Sequence, residues 1–377
     1  MFESIRRTLA LSLRIVRQFV RDRRTMALLF IAPIVIMTIL NFILGSTSNS
    51  LTLAIVPPEG PAGAVISRQI DASLGAMKGV TITTLRADQV DATLKAGDAD
   101  AALIFPADFA QTLASGGRPH ITLRLEGSNP GAAQQAKQLV ALGLGALQSS
   151  STVSSIAGAS ANAPVALDTT YLYGGPEYTQ TDALAPMLVG LFAFFFVFLL
   201  ASVAFVRERS QGTLERILVS PLSRSELTLG YVLGFMLFAT IQSVVILAFV
   251  VYVLRVHYAG NLWLLFLVTL MLTIGGVNMG IFASAFARNE LQVVQFIPLL
   301  LAPQFLLGGI FFPVTTLPIV LKQLAYIMPL TWANFALKDV MLKGLGVADV
   351  WPDLLFLAGF ATLMVIISAL SLRQERA

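Results

Sequence analysis

The stretch ALAPMLVGLFAFFFVFLLASVAFV occupies Ala183–Val206 and contains no charged side chain. Because a helix needs about 20 apolar residues to cross the hydrocarbon core of a bilayer, this stretch predicts a transmembrane helix. Five further apolar stretches have a similar length: Met26–Leu44, Leu229–Leu254, Leu262–Phe286, Leu291–Phe312 and Leu354–Leu372. The sequence therefore predicts a polytopic α-helical membrane protein with six transmembrane helices.

The composition agrees with this class. Hydrophobic residues make up 56% of the 377 positions and charged residues 12%, whereas a soluble protein has about 45–50% apolar and about 25% charged residues. The chain has no cysteine, which excludes disulfides, thiol catalysis and thiolate metal sites. The net charge of +4 does not indicate nucleic-acid binding, because the basic residues cluster beside the predicted spans.

The distribution of arginines predicts the orientation. Basic residues concentrate on the cytoplasmic side of membrane helices, and six crossings with a cytoplasmic N-terminus bring the main arginine clusters to that side. These are Arg6, Arg7, Arg14, Arg17, Arg21, Arg23 and Arg24 before the first span, Arg207, Arg209, Arg216 and Arg224 after the second, Arg288 after the fourth, and Arg373 and Arg376 at the end. The first apolar run is longer than a signal-peptide core of about 7–15 residues. We expect a multi-pass protein of the bacterial inner membrane with both termini cytoplasmic.

The segment between the first two spans is predicted to be an extracytoplasmic α/β domain, residues 46–182. Strand-like and helix-like stretches alternate in it. The predicted strands are Leu51–Val56, Val80–Leu85, Ala99–Phe105 and His120–Gly127, and the predicted helices are Ala62–Ala76, Ala87–Ala96, Pro106–Gly116 and Pro130–Gln148. Ser149–Pro164 reads as a linker of small residues.

The remaining segments complete the expected organisation. Residues 1–25 predict a cytoplasmic amphipathic helix at the membrane interface, with Ile5, Leu9, Leu13, Val16 and Val20 on its apolar face. Residues 26–45 form the first span and 183–372 the other five. Between these five spans, we expect a cytoplasmic loop at residues 207–228 and an outer re-entrant segment at residues 312–350. Residues 373–377 are expected to form a cytoplasmic tail.

The loop after the second span begins RERSQGTLERILVSPLSR, residues Arg207–Arg224. Gly212 interrupts the preceding helix, and Thr213 is a suitable cap for a short new helix that Pro221 ends. Leu214, Ile217 and Leu218 have helical spacing and form one apolar face. One interpretation is a helix that lies on the lipid surface. The other is a helix that presents this face to a partner protein.

These residues resemble the coupling region of type-2 ABC (ATP-binding cassette) transporter permeases. The matching positions are Glu208, Arg209, Gly212, Thr213, Glu215, Ile217, Leu218 and Pro221, with Ser220 before the proline. One span, a large outer domain and five further spans resemble the drug- and lipid-exporter branch of that family.

The resemblance implies that one subunit transports the substrate and another hydrolyses ATP. A separate cytoplasmic ATPase, two copies per complex, would bind ATP and Mg and contact the loop, while a second permease copy or paralogue would complete a dimer in the lipid bilayer. The sequence contains no G-x-x-x-x-G-K-[ST] phosphate loop, so we expect no ATPase activity and no cofactor in this chain. In the family the N-terminal helix packs beside the coupling region, where Arg14, Arg17 and Arg21 would help to seat the ATPase.

Five amides inside the predicted spans are candidates for a translocation path: Asn41, Gln242, Asn278, Gln295 and Gln304. Polar groups in lipid are costly and often functional, but amides also bond neighbouring helices together. Both interpretations stay open. Pro298 and Pro303 are expected to break or kink the fifth span, and Gly275, Gly276 and Gly280 to permit close helix packing.

The leading functional hypothesis is a permease subunit that exports a hydrophobic or amphipathic compound, with energy from ATP hydrolysis by the partner. The alternative is a non-conducting mechanotransmission module, in which the ATPase drives the outer domain. A third hypothesis is a polytopic enzyme or a receptor. The sequence shows no Ser-His-Asp set, no residues at the spacing of metal ligands and no paired acids within a span.

Overall fold

The computed structural model describes residues 2–44, 51–58, 80–115, 117–148, 165–211, 223–287, 289–310 and 313–374. The chain divides into two compact units. A helical unit comprises Met1–Ile43 and Leu184–Ala377, and a sheet unit comprises Leu44–Ala183. The predicted helix Ala62–Ala76 and the linker Ser149–Pro164 lie outside the described residues.

Six helices of the described chain are long and apolar enough to cross a membrane. They are α2 (Arg23–Leu44), α6 (Gln180–Ser210), α7 (Arg224–Ala248), α8 (Leu262–Ser284), α9 (Glu290–Leu307) and α12 (Val347–Gln374). The predicted polytopic helical class is therefore confirmed. α6 and α12 extend beyond the predicted spans, and α7 continues as a π-helix over Phe249–Val253.

Three further helices of the described helical unit accompany the spans. α1 (Phe2–Arg21) precedes α2, and α10 (Ile319–Ile327) and α11 (Pro329–Lys343) lie between α9 and α12. The side-chain amide of Asn334 on α11 donates to the carbonyl oxygen of Gly308 at 2.7 Å, which ties α11 to the end of α9. The helix α9 runs unbroken through Pro298 and Pro303 and ends at Leu307, with Gly308 as its cap. Of the two predicted effects of these prolines, the break is therefore wrong, and the kink stays a prediction.

Small residues let the spans approach one another, as predicted. A Cβ on Gly280 would lie 2.6 Å from the backbone oxygen of Phe198 on α6, and one on Gly276 would lie 3.1 Å from the ring of Phe194. Gly275 meets Phe360 on α12 in the same way. Close contact at these glycines replaces the hydrophobic driving force that is absent between helices in lipid.

The caps explain where the spans begin. Ser223 and Glu226 form a capping box at the start of α7, and Asn261 caps α8 through the amide of Trp263. The start of α6 has a different arrangement. Thr179 precedes the helix, and Asp182, inside its first turn, accepts from the amide and hydroxyl of Thr179. The acid therefore acts from the N3 position, where a carboxylate can reach back to the free amide of the cap.

The sheet unit contains a mixed five-stranded sheet in the order β2-β1-β3-β4-β5. The strands are β1 (Leu51–Val56), β2 (Val80–Thr84), β3 (Ala101–Ile104), β4 (His120–Leu125) and β5 (Ala166–Tyr171). β3 and β4 are antiparallel, and the other neighbours are parallel. The helices in the described residues of this unit are α3 (Val90–Ala96), α4 (Phe109–Ala114) and α5 (Pro130–Gln148).

Helices cover both faces of this sheet. Leu53, Leu103 and Leu123 pack with Ala136 and Val140 of α5 in one core. On the opposite face, Ala54 and Ala102 pack with Val90 and Leu94 of α3. Strands buried on both faces read as near-continuous apolar runs, which is why β1 and β3 are evident in the sequence.

Candidate functional site

The helix α1 docks on α7 where α7 has two glycines one turn apart. A Cβ on Gly230 would lie 2.7 Å from Leu11, and a Cβ on Gly234 would lie 3.0 Å from Ile15. Phe19 continues the contact with edge-to-face packing on Phe235 and Phe238. The two missing side chains form a shallow groove in which α1 rests.

Most of the apolar residues predicted for the interfacial face of α1 do not make this contact. Leu11, Ile15 and Phe19 are buried, whereas the predicted residues Ile5, Leu9, Leu13 and Val20 are exposed. The fifth predicted residue, Val16, is partly buried and packs against the helical core. The helix thus has two neighbouring apolar faces, one against α7 and one uncovered by the described chain. The uncovered face has the spacing expected of a helix at a lipid surface.

A buried ion pair joins α1 to the last turn of α6. Both carboxylate oxygens of Glu208 lie 3.4 Å from Nη2 of Arg14. The Glu208 side chain is only 4% exposed and that of Arg14 40%. A buried carboxylate is costly without a positive partner, so this pair fixes α1 and α6 relative to each other. Arg14 therefore has a contact within the chain, besides the predicted role in seating the ATPase.

Arg207 connects the start of α2, the end of α6 and the start of α9. Its guanidinium donates to Glu290 at 2.9 and 3.3 Å and to Asp22 at 3.1 Å. The planar fork of arginine suits such bridging between two carboxylates. Residues Arg14, Asp22, Arg207, Glu208, Arg209 and Glu290 are called the charged cluster below.

Asp22 has a second function as the cap of α2. One carboxylate oxygen accepts from the amides of Arg24 and Thr25, and the other accepts from the Thr25 hydroxyl at 2.6 Å. The Thr25 hydrogen bonds, assisted by the charge of Arg207, hold the pKa of Asp22 below its ordinary value. The carboxylate is thus kept ionised where it both caps a helix and pairs with Arg207.

Arg209 binds the C-terminal end of α8. Its guanidinium donates to the carbonyl oxygens of Ser284, Ala285 and Ala287. A cation at this position satisfies free carbonyl groups and favours the negative end of the helix dipole. The acidic-basic pair Glu208–Arg209 therefore makes two separate contacts, one to α1 and one to α8.

The rest of the predicted coupling loop, Gly212, Thr213, Glu215, Ile217, Leu218 and Pro221, lies outside the described residues. Its flanks are described on both sides. The chain leaves α6 at Gln211, directly after the charged cluster, and returns at Ser223 in the capping box of α7. The hydroxyl of Ser4 on α1 and the amide of Ser223 lower the pKa of Glu226 in that box. Both flanks of the loop are thus bonded to α1.

The five candidate amides lie in different surroundings. Gln242 is buried and donates to the carbonyl oxygen of Phe192 on α6. Asn278 is buried and accepts from the Ser368 hydroxyl on α12 at 3.1 Å. Gln295 is exposed and Gln304 is buried, while the side chain of Asn41 is outside the described part. The contacts of Gln242 and Asn278 are helix–helix bonds, and a role for any of the five in transport stays a prediction.

An apolar cavity of about 480 Å³ lies beside the charged cluster. Phe19, Leu28, Phe196, Val203 and Ile297 are among the apolar side chains that line it, and Arg24, Thr25 and Arg207 add polar groups. This first cavity is bordered by α1, α2, α6 and α9. Its volume is within the range of small-molecule sites, about 300–1,000 Å³.

Sequence reasoning missed three features of this region: the groove at Gly230 and Gly234, the role of Asp22, and the bridge from Arg207 to Glu290. The spacing G-x-x-x-G in GYVLG was a signal for the groove. Asp22 before a helix, with Thr25 three residues later, was a signal for a cap. The pairing of Arg207 with Glu290 had no local signal, because it joins residues 83 positions apart.

The six apolar helices define a multi-pass helical membrane protein. Ion pairs connect α1, the start of α2, α6 and α9 at one end of these helices. The comparison with known families is more specific. The chain matches the family described as ABC-2 family transporter protein over residues 23–370. Because this match covers most of the chain, the protein belongs to that family, and it is an ABC transporter permease by class.

Several curated proteins are similar to the chain. The Escherichia coli probable multidrug ABC transporter permease YbhS is 23% identical over 382 residues, covering 99% of this chain and 98% of YbhS. YbhR from the same organism, with the same description, is 28% identical over 45% of this chain and 46% of YbhR. ABC transporter G family member 20 of Dictyostelium discoideum is 30% identical over 56% of this chain. The match spans 29% of that protein's length.

Proposed function

We propose that the chain is the permease subunit of an ABC transporter and that it exports a hydrophobic or amphipathic compound. Energy comes from ATP, bound with Mg by a separate cytoplasmic ATPase, two per complex, and a second permease copy or paralogue completes the transporter. The observation that carries the proposal is the position of loop 212–222. It leaves and re-enters the helical unit between the charged cluster and the capping box of α7.

The charged cluster supports a mechanical role for this loop. Glu208, Arg209 and Arg207 occupy consecutive positions before it and bond to α1, α8 and α9, respectively. A displacement of the loop by a partner therefore reaches three other helices through short charge-assisted hydrogen bonds. An ATPase that pushes on residues 212–222 would move the helical unit as a whole.

The first cavity supports an amphipathic substrate. Its apolar walls suit a hydrophobic body, and Arg24 and Thr25 beside them suit a polar head. The names of YbhR and YbhS include multidrug transport, which agrees with substrates of this kind.

The orientation is part of the proposal. We place α1 and the charged cluster on the cytoplasmic side of the bacterial inner membrane, since positive residues concentrate there. The sheet unit and the segment with α10 and α11 are then extracytoplasmic.

The test is a pull-down of the tagged chain from its native membranes, combined with ATP-dependent uptake of a fluorescent amphiphile into inverted vesicles. One variant carries a Gly/Ser linker in place of residues 212–222 only, so that the charged cluster stays intact. Glu215→Arg is compared with Gln211→Arg, which introduces the same side chain at a position that is not among the matching residues of the motif. We expect the linker and Glu215→Arg to lose the ATPase and the uptake, and Gln211→Arg to keep both.

Each contrary result has a definite meaning. Capture of the ATPase by the linker variant contradicts the coupling role of the loop. Normal capture and ATP hydrolysis without transport of any amphiphile favours the mechanotransmission module instead.

A further inference from the structure

A second apolar cavity, of about 450 Å³, lies on the other side of α9, between α8, α9, α12 and the junction of α10 with α11. Methionine and phenylalanine side chains form much of its wall: Met279 and Phe282 of α8, Phe296 of α9, Met328 at the junction, and Phe360 and Met364 of α12. Flexible thioethers and aromatic rings adapt to apolar molecules of different shapes. The wall thus suits a hydrophobic ligand without defining one shape.

Gln304 is the polar side chain among the lining residues. It is 1% exposed. Its amide nitrogen faces the carbonyl oxygen of Leu300 at 3.5 Å and the sulfur of Met279 at 3.9 Å. Its carbonyl oxygen Oε1 is buried and has no hydrogen-bond partner within the described part of the chain. The carbonyl oxygen of Leu300 can only accept a hydrogen bond, so the amide nitrogen of Gln304, and not its oxygen, must face it. The Gln304 atom without a partner is therefore the oxygen, which is an acceptor.

Buried polar atoms are nearly always paired, so an unpaired one requires an explanation. A water molecule would find at most two acceptors here, Oε1 of Gln304 and the carbonyl oxygen of Leu299, which is the lower limit of the about two to four polar partners that a buried water needs. A lipid acyl chain fits the apolar wall but has no hydrogen to donate. The neighbouring Pro303 has no amide hydrogen, so the carbonyl of Leu299 also lacks its usual helix donor. Both acceptors lie on cavity-lining residues.

We propose that this second cavity binds an apolar, aromatic-sized compound that donates one hydrogen bond, from an N–H or O–H group, to Oε1 of Gln304. The inference rests on the proposed function in taking this ligand to be a transported compound. It assigns the ligand a site within a single protomer and separate from the first cavity.

The test uses a matched pair of probes with the full chain in lipid nanodiscs, without ATP and without the ATPase. N-phenyl-1-naphthylamine is apolar, carries one N–H donor and fluoresces more strongly in apolar surroundings. Its N-methyl analogue has the same rings and no donor. Gln304→Met removes the acceptor at nearly constant shape, and Gln323→Met makes the same change at an exposed position of α10 that does not line the cavity.

We expect saturable binding of the N–H probe to the unmodified chain. Gln304→Met should weaken it about five- to tenfold, the effect of one buried hydrogen bond. The same variant should change binding of the N-methyl analogue less than twofold, and Gln323→Met should affect neither probe. A second variant, Ala283→Phe, fills the cavity from α8 and should weaken both probes.

Equal losses of both probes in Gln304→Met would overturn the hydrogen-bond assignment. Unchanged binding in both Gln304→Met and Ala283→Phe would place the probe elsewhere and overturn the site, as would the absence of saturable binding above that of empty nanodiscs. Intact, Gln304-dependent binding without any ATP-dependent transport would contradict the export proposal alone.

Discussion

At Glu208, burial and charge have opposite effects on stability. The carboxylate has lost almost all contact with solvent, and the removal of a charged group from water costs free energy. Arg14, from a helix 194 residues away in sequence, supplies the positive charge. A residue that resembles part of a partner-binding motif is thus also a structural contact, and variants of it combine both effects.

Removal of Arg14 tests the structural contribution. Arg14→Leu leaves Glu208 buried without this cation, and we expect the free energy of unfolding to fall by about 1–2 kcal/mol. This is the lower part of the range for hydrogen bonds to charged groups, since Arg14 is partly exposed and screened. The melting temperature in detergent should fall by a few degrees. Arg17→Leu is the control, because Arg17 is exposed on the same helix, and equal effects of both variants would argue against the pair.

The lowered pKa of Asp22 predicts a dependence of stability on pH. An unfolded aspartate titrates near about pH 4. A folded-state pKa below that value means that the charged carboxylate stabilises the protein fully above about pH 5, and that this contribution is lost as the pH falls through the folded pKa. Asp22→Asn should therefore melt below the unmodified protein at pH 7, and the difference should shrink below about pH 4. A difference that stays constant from pH 7 to pH 3 would contradict the assignment.

At the scale of elements, the contact of α1 with α7 depends on the absence of two side chains. Gly230 and Gly234 are close to Leu11 and Ile15. A side chain at either glycine would occupy the space that these two residues of α1 fill. Beyond the groove, the ion pair Arg14–Glu208 is one further attachment. Contact of this kind is sensitive to any added side chain.

Gly234→Leu should displace α1 from α7. Trypsin should then cleave the arginines of α1 several times faster in detergent, while the spans stay protected. Gly359→Leu is a matched control in α12, because a Cβ there meets nothing within 4 Å. Cleavage rates that do not differ between the two variants would contradict the packing of α1 on α7.

Elements with a strong local pattern were predictable from the sequence. β1 and α5 have the predicted bounds, Leu51–Val56 and Pro130–Gln148. A near-continuous apolar run marks a buried strand, and residues such as proline mark the start of a helix, so both signals are local in the sequence. β5 was not predicted. Its sequence ALDTTY has no buried residue, and it is an edge strand that pairs only with β4, so no apolar alternation marks it.

The candidate site was predictable only in part, for a similar reason. Glu208 and Arg209 were recognisable from the order of residues in the loop. Their partners on α1 and α8 were not, because contacts between helices depend on tertiary packing rather than on periodicity. The two apolar faces of α1 illustrate the same limit: the periodicity identified the exposed face, whereas the glycines that select the buried face lie on another helix.

At the scale of the whole molecule, two units of different architecture share one chain. The sheet unit is inserted between α2 and α6 of the helical unit, and the proposed topology places it outside the cell membrane. The exposed apolar side chains of α2, α9 and α12 suit contact with lipid and with the proposed second permease.

The absence of cysteine makes the topology directly testable. Lys95→Cys lies on an exposed site of the sheet unit, and Ser210→Cys lies on an exposed site beside the charged cluster. A membrane-impermeant maleimide should label Lys95→Cys in intact cells with a permeable outer envelope, and Ser210→Cys only after the inner membrane is opened. The reverse pattern would invert the proposed orientation.

The groove on α7 also has a consequence for the order of biosynthesis. Ile15 is synthesised 219 residues before Gly234 (234 − 15 = 219). At about 5–20 residues per second, α1 emerges roughly 10–40 s before its groove exists. During that interval the nascent helix has an apolar surface without its groove on α7. The second apolar face of α1, with Leu9 and Leu13, suits a position on the membrane surface until α7 has been inserted, so α1 is synthesised well before it can pack on α7.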